Sequence, residues 1–370
     1  MTEIIAITMP KWGLTMTEGK VLGWLKHEGA VVAANDELLE IETSKITNIM
    51  EAGEAGTVRR IVAPEGATLP IGGLLAVLAP AEIAEADIET FIASFVPPES
   101  AEAEADEGDA PALQEITVGD HRLRHLELGN GEGPPVVFIH GFGADLNTWM
   151  FNQPALAERH RTFALDLPGH GGSTKTLQDA STRMFTRDLD LFLGALGVNR
   201  VHIVGHSMGG AIALALADWQ PERVASLTLI ASAGLGSEIN AVFIGGFVKM
   251  ERRRDAQQAL RLLVHDPDSV SRAMVEDVLR YKRLDGATAA LNQIAAEWFP
   301  NGRQRESFQL AQMTIPVQII WGREDQIIPV THAEALQGRV PVHILDNAGH
   351  LPHMERAAEV NRLIAAFVAP

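Results

Sequence analysis

One run constrains this chain more than any other: Val201-His202-Ile203-Val204-Gly205-His206-Ser207-Met208-Gly209-Gly210. It opens with apolar, β-branched residues that suit a buried strand, and Ala211 to Ala217 reads as a buried helix. Between them stands Gly-x-Ser-x-Gly, the pattern that sets a serine on a sharp strand-to-helix turn with its hydroxyl exposed. The glycines two before and two after Ser207 let neighbouring elements close on that turn, where a Cβ would crowd them. At the helix start the N–H of Met208 is free to bind an oxyanion. A chance Gly/Ser turn would show the same letters, but it would not need a strand before it and a helix after it.

Leu113 to Pro370 is about the size of one α/β domain. Apolar runs fit for central strands recur at Val136–Ile139, Thr162–Leu165, Val201–Val204, Leu227–Ile230, Val317–Ile320 and Val342–Leu345. Helical stretches such as Phe185 to Leu196 fall between them. Alternation of this kind predicts a doubly wound, mostly parallel sheet with ligands beyond the carboxyl ends of its strands. With His140-Gly141-Phe142-Gly143 after the first strand and Gly205–Gly209 after the third, the domain resembles the α/β-hydrolase family. A serine hydroxyl needs a base, and the base an orienting acid. The family's chain order of Ser, acid, His puts Asp325 after a strand and His350 after the last one. Glu324 is the rival acid. The resemblance also implies an oxyanion donor at the N–H of Phe142, beside that of Met208. His206 reads as packing or as a partner to this set; His140, His170 and His353 have no required role. No metal site is expected, because His350 and His353 lack a third ligand. Between Ala233 and Met313 the strand pattern gives way to charged helical sequence, the usual place for a cap. Lys249, Arg252, Arg253, Arg254 and Arg261 cluster there and read most simply as a solvated helix face.

Met1 to Pro80 shows short alternating segments punctuated by glycine, as in a small all-β domain. Glu28-Gly29-Ala30 recurs as Glu65-Gly66-Ala67, and at the same offset of 37 Val21 matches Val58 and Leu38 matches Leu75. Two equivalent halves packed as a flattened sandwich account for this. Between them lies Glu42-Thr43-Ser44-Lys45-Ile46-Thr47, with Lys45 expected at a hairpin tip. With Met9-Pro10-Lys11-Trp12-Gly13 and Met16-Thr17-Glu18-Gly19, the segment resembles the lipoyl domains of 2-oxo acid dehydrogenase complexes. The resemblance implies that Lys45 carries amide-linked lipoate. Biotin carriers share the fold, but their lysine usually sits between methionines, unlike Thr43-Ser44-Lys45-Ile46.

The formal net charge of -18 argues against nucleic acid as a partner. Much of it is local, since Ala81 to Ala110 holds ten acidic residues and no Lys or Arg. Residues 81–112 read as an acidic linker, with one amphipathic helix over Ala81 to Phe95 and a mobile tether beyond it. The helix is too short for a peripheral-subunit-binding domain. Cysteine is absent, and neither a signal peptide nor an apolar run of membrane length is visible, so a cytoplasmic protein without membrane contact is expected.

The pairing of a lipoyl domain (1–80) with a hydrolase domain (113–370, cap about 233–313) is unusual. The usual acyltransferase core carries His-x-x-x-Asp-Gly, and the nearest run here, Tyr281-Lys282-Arg283-Leu284-Asp285-Gly286, has Tyr in place of His. The whole chain resembles the E2 components of acetoin dehydrogenase complexes. That implies an acetyl group loaded onto lipoyl-Lys45 by a thiamine-diphosphate E1, transfer to coenzyme A, and reoxidation by a flavoprotein E3. A homo-oligomer within a complex is expected. An esterase or thioesterase fused to a lipoyl domain, or a non-transferring scaffold for E1 and E3, are the other readings.

Overall fold

The structure, a computed structural model, describes residues 4–10, 16–34, 36–43, 47–97 and 112–369. Lys45 and residues 98–111 of the acidic linker lie outside the described residues. The chain divides into two units, one within Met1–Ala110 and one over most of Pro111–Pro370. Among the described residues no helix is long and apolar enough to cross a membrane.

The first unit has strands β1 (Ile5–Thr8), β2 (Glu18–Trp24), β3 (Val31–Val32), β4 (Glu37–Glu42), β5 (Thr47–Glu51), β6 (Gly56–Ile61), β7 (Thr68–Pro70) and β8 (Leu74–Ala79). They form two four-stranded sheets, ordered β1-β8-β6-β3 and β5-β4-β2-β7. The repeat seen in the sequence maps β2 onto β6 and β4 onto β8, yet neither half builds a sheet of its own. Each sheet takes strands from both halves. Alternation along β2 turns Gly19 and Val21 inward, and Val21, Leu39, Ile41, Val58 and Leu75 are fully buried between the sheets.

β8 is buried along its whole length because both of its faces are covered. Leu75 and Leu78 enter the sandwich core, while Leu74, Val77 and Ala79 pack with Ile88 of the helix Glu85–Ser94. Complete burial of Ile88 is worth roughly 1.5–3 kcal/mol and holds the helix on the outer face of the sheet. Arg59 adds hydrogen bonds to the carbonyls of Pro80 (2.6 Å) and Ile83 (2.9 Å) just before that helix.

The second unit has one eight-stranded sheet of β9 (Leu113–Val118), β10 (His121–Leu128), β11 (Val136–Ile139), β12 (Thr162–Leu165), β13 (Val201–His206), β14 (Val224–Ile230), β15 (Val317–Gly322) and β16 (Val342–Leu345). The order is β16-β15-β14-β13-β11-β12-β10-β9, with β11 to β16 parallel and the β9–β10 hairpin antiparallel at one edge. β11 lies between β12 and β13, so the chain steps to opposite sides of it and leaves a crevice at the carboxyl ends. The loop after β11 carries Phe142; the turn after β13 carries Ser207. Between β14 and β15 the chain leaves the sheet for four helices, Ala241–Lys249, Arg253–Arg261, Arg272–Lys282 and Ala287–Trp298.

Candidate active site

Ser207 is held at φ 51° and ψ −117°, a conformation that costs a non-glycine residue about 1–3 kcal/mol. Its surroundings over-determine it. The Ser207 N–H donates to Ile230 O at 3.0 Å, and its carbonyl accepts from Gly210 N and Ala233 N, each at 3.0 Å. The helix Met208–Trp219 then starts directly against β11. A Cβ on Gly209 would collide with the Ile139 carbonyl oxygen, and one on Gly141 would stand 2.9 Å from His206 Nδ1 and 3.0 Å from Ser207 Cβ. Glycine at these two positions lets the turn and the loop after β11 meet. Among the described residues neither the Phe142 nor the Met208 N–H donates to an acceptor.

His350 follows β16 and is 3% exposed. Its Nδ1–H donates to Asp325 Oδ2 at 2.8 Å, and Asp325 Oδ1 accepts from the N–H groups of Ile327 (2.8 Å) and Ile328 (3.0 Å). The carboxylate is buried and fully used, and this fixes the tautomer that leaves His350 Nε2 as a lone pair. Glu324, the rival acid, turns the other way. Its Oε2 accepts from Ala348 N at 3.1 Å and faces His265 Nδ1 at 3.7 Å.

The backbone of His350 is tied on two sides. His206 Nε2–H donates to its carbonyl at 2.8 Å, and its own N–H donates to Leu263 O at 2.7 Å. The first bond comes from the residue before Ser207, and the two rings stand 4.9 Å apart. His206 is thus a partner as well as a packing residue: it joins the serine turn to the histidine loop. His353 packs on its other side at 4.5 Å and shares a 2.9 Å hydrogen bond with Thr148 Oγ1. Burial holds His206 and His140 below the ordinary imidazole range and pushes His353 down to about 3, so these rings are neutral at physiological pH. Of the five rings here, His140, His170, His206, His350 and His353, His350 alone is hydrogen-bonded to a carboxylate. Among the described residues no group of three or more His, Asp or Glu could hold a metal ion.

Two further side chains, Lys282 and Tyr281, organise this region. Lys282 Nζ donates to the carbonyls of Phe247 (2.9 Å), Val248 (2.6 Å) and Met250 (2.8 Å), clamping the end of helix Ala241–Lys249. Phe247 lies against Phe142 with ring centres 5.8 Å apart, so the clamp fixes the residue that covers the loop after β11. Tyr281, where the other acyltransferase motif needs a histidine, donates its hydroxyl to Gly169 O at 2.6 Å.

Glu355 accepts from Gly349 N (2.8 Å) and His265 N (2.6 Å), bridging the histidine loop to the helical insertion. Burial outweighs these bonds and raises its pKa from 4.5 to about 7. The folded state therefore binds the extra proton, and its contribution is fully present below about pH 4.5 and lost as pH rises through about 7. Glu355→Gln should flatten the pH dependence of unfolding across that window, by at most about 3 kcal/mol. Denaturant midpoints at pH 5, 6, 7 and 8, on the order of one pH unit apart, measure it; an unchanged slope would place the titration elsewhere.

A family model of the alpha/beta hydrolase fold matches residues 134–357, and one for the biotin/lipoyl domain of biotin-requiring enzymes matches residues 5–78. Fold and site together define an α/β-hydrolase-type enzyme joined to a biotin/lipoyl-type domain. Among solved structures, a meta-cleavage product hydrolase from Pseudomonas fluorescens IP01 superposes with a TM-score of 0.63 over 69% of this chain and 96% of that one. At 24% identity this likeness bears on the fold alone. The chain is 44% identical, over 100% of its length and 99% of the relative's, to the dihydrolipoyllysine-residue acetyltransferase component of the acetoin cleaving system of Pseudomonas putida. The counterpart from Cupriavidus necator is 42% identical, over 98% of this chain and 96% of its own. The chain belongs to this acetyltransferase family.

Proposed function

We propose that the chain moves an acetyl group from a lipoyl arm on Lys45 to coenzyme A through Ser207, His350 and Asp325. The observation that carries the reading is Ser207 held at positive φ, two unused N–H groups around it, and a neighbouring histidine loop ordered by a buried carboxylate. Support for the arm comes from the pairing of Glu42 with Thr47, which brings β4 and β5 together at the two ends of the segment that contains Lys45. Lipoate there would supply the thiol that presents acetyl as a thioester.

In this reading His350 Nε2 takes the Ser207 hydroxyl proton as Oγ attacks the thioester carbonyl. The N–H groups of Phe142 and Met208 receive the oxyanion. The carbon–sulfur bond then breaks, and His350 returns the proton to the departing sulfur, leaving acetyl-Ser207. The coenzyme A thiol next gives its proton to His350 and attacks the acetyl carbon. Ser207 leaves as its hydroxyl is reprotonated, and acetyl-CoA is released. Asp325 keeps Nδ1 protonated throughout and stabilises the imidazolium. Phe247, held over Phe142 by Lys282, helps to keep out water that would divert the acyl-enzyme to acetate.

The same family implies a thiamine-diphosphate E1 that loads the arm, a flavoprotein E3 that reoxidises it, and a cytoplasmic homo-oligomer that gathers them. Full-length lipoylated protein, given acetyl-dihydrolipoamide and coenzyme A, should form acetyl-CoA faster than acetate. Acetate alone would make it a thioesterase. Neither product would leave the second domain as a scaffold.

A further inference from the structure

The helical insertion carries a set of cations that the fold does not use. Lys249, Arg252 and Arg254 lie within six residues, all three are exposed, and none makes an ion pair or side-chain hydrogen bond among the described residues. Their neighbour Arg253 is paired with Glu276, and Arg261 with Asp268. Elsewhere in the second unit exposed and half-buried arginines usually find an acid, as Arg122 does in Glu115, Arg161 in Glu127, Arg223 in Asp190 and Arg323 in Asp346. Among the described residues Arg159, Arg183, Arg200, Arg283 and Arg339 are also unpaired but stand singly. In a chain with 48 acidic and 30 basic side chains, three unpaired cations within six residues are out of pattern. Glu251 and Asp255 stand in the same stretch, and among the described residues neither pairs with any of the three.

Their position gives the cluster meaning. Phe247, two residues before Lys249, sits on Phe142 beside the unused N–H groups, and Lys282 pins the backbone from Phe247 to Met250. Seven residue steps lead from Phe247 to Arg254, so the cluster lies within about 25 Å of Phe247 even on a fully extended path. The helix Arg253–Arg261 also begins here with no side-chain cap, with Asp255 in its first turn and Arg252 and Arg254 on either side of its first residue. Arginine forks suit phosphate oxygens better than a carboxylate surface, because phosphate accepts several donors at once.

We infer that Lys249, Arg252 and Arg254 form the docking rim for the phosphates of the thiol acceptor. The inference rests on the transferase reading above and deepens it. Coenzyme A has its reactive thiol and its phosphates at opposite ends of a long flexible arm. Holding the phosphates at the rim would lay the arm toward Ser207, and binding energy from this remote end would favour thiol over water as the acceptor. The cost of an unpaired cationic stretch in an otherwise acidic chain is then accounted for.

The test compares lipoylated full-length protein with a Lys249→Ser/Arg252→Ser/Arg254→Ser variant. Acceptors are coenzyme A, its dephospho form lacking the 3′-phosphate, and pantetheine. The rim predicts that the preference for coenzyme A over pantetheine, as a ratio of kcat/KM, falls about tenfold or more in the variant and loses most of its salt dependence. Dephospho-coenzyme A should fall between the two. Calorimetric titration with coenzyme A, which needs no turnover, should show the same loss of affinity. Weaker binding in a protein that never forms acetyl-CoA would keep the rim and discard the transferase reading. An unchanged preference and unchanged affinity would overturn the rim whatever the enzyme does. If the variant loses only turnover of acetyl carried on the protein's own first domain, the rim receives that acidic domain and the inference fails.

Discussion

Ser207→Ala should lower acetyl transfer by roughly 10⁴–10⁶, and adding His350→Ala should lower it little further. Each residue is useless without the other. A serine without a base keeps its proton, and a base without the serine has no proton to take. The structure adds a reason to expect clean variants. Ser207 is fixed by its backbone, through Ile230 O, Gly210 N and Ala233 N, and an alanine at φ 51° keeps all three bonds. His350 is likewise fixed by its own N–H and carbonyl. Loss of activity should therefore come without loss of fold, which circular dichroism and the denaturant midpoint would verify. Transfer to coenzyme A and hydrolysis of a simple ester should be followed side by side. If Ser207→Ala ends ester hydrolysis but leaves transfer intact, the serine is a nucleophile and transfer bypasses it. If the double variant is far worse than either single one, the two residues do not act as a unit.

Lys45→Arg should abolish attachment of the lipoyl group and with it all turnover that passes through the protein-borne arm. Arginine keeps the charge and most of the length but has no nucleophilic amine at neutral pH. Transfer from free acetyl-dihydrolipoamide should survive, because Ser207 and its partners belong to the other unit. The measurements are intact mass after expression in a lipoylating host and the two transfer assays. A variant that still gains the lipoyl mass would move the attachment site to another lysine. Loss of transfer from the free donor as well would mean that the first unit does more than carry.

What could be read in the sequence depended on how far each feature is local. The parallel strands were legible because residues buried on both faces read as unbroken apolar runs, as in Val136–Ile139 and Thr162–Leu165. The edge hairpin of Leu113–Val118 and His121–Leu128 was not, since its exposed outer strand mixes Gln and Glu with Leu and Val and gives no such run. Ser207 announced itself through two glycines whose absent side chains are a local requirement. Choosing between Glu324 and Asp325 needed the fold, because adjacent side chains on a turn point apart and only one meets His350. His206, Glu355 and Lys282 act through backbone carbonyls and N–H groups far along the chain, and backbone partners leave no mark in the letters. The repeat gave the strand equivalences but not the pairing, which depends on how the halves interlock.

That interlock has a consequence for when the carrier becomes competent. β4 and β5, which flank Lys45, come from different repeats, and β4 pairs on its other side with β2 of its own half. β2 in turn closes against β7, which belongs to the later repeat. A nascent chain that has emerged only through Glu51 has the turn's letters but lacks β7 beside β2 and the whole opposing row of β6 and β8. Val21, Leu39 and Ile41 would then face water instead of Val58 and Leu75, and nothing would hold the hairpin in register. On the proposed attachment at Lys45, an enzyme that needs β4 paired with β5 would act on finished domains, and attachment would double as an inspection of the newly made chain.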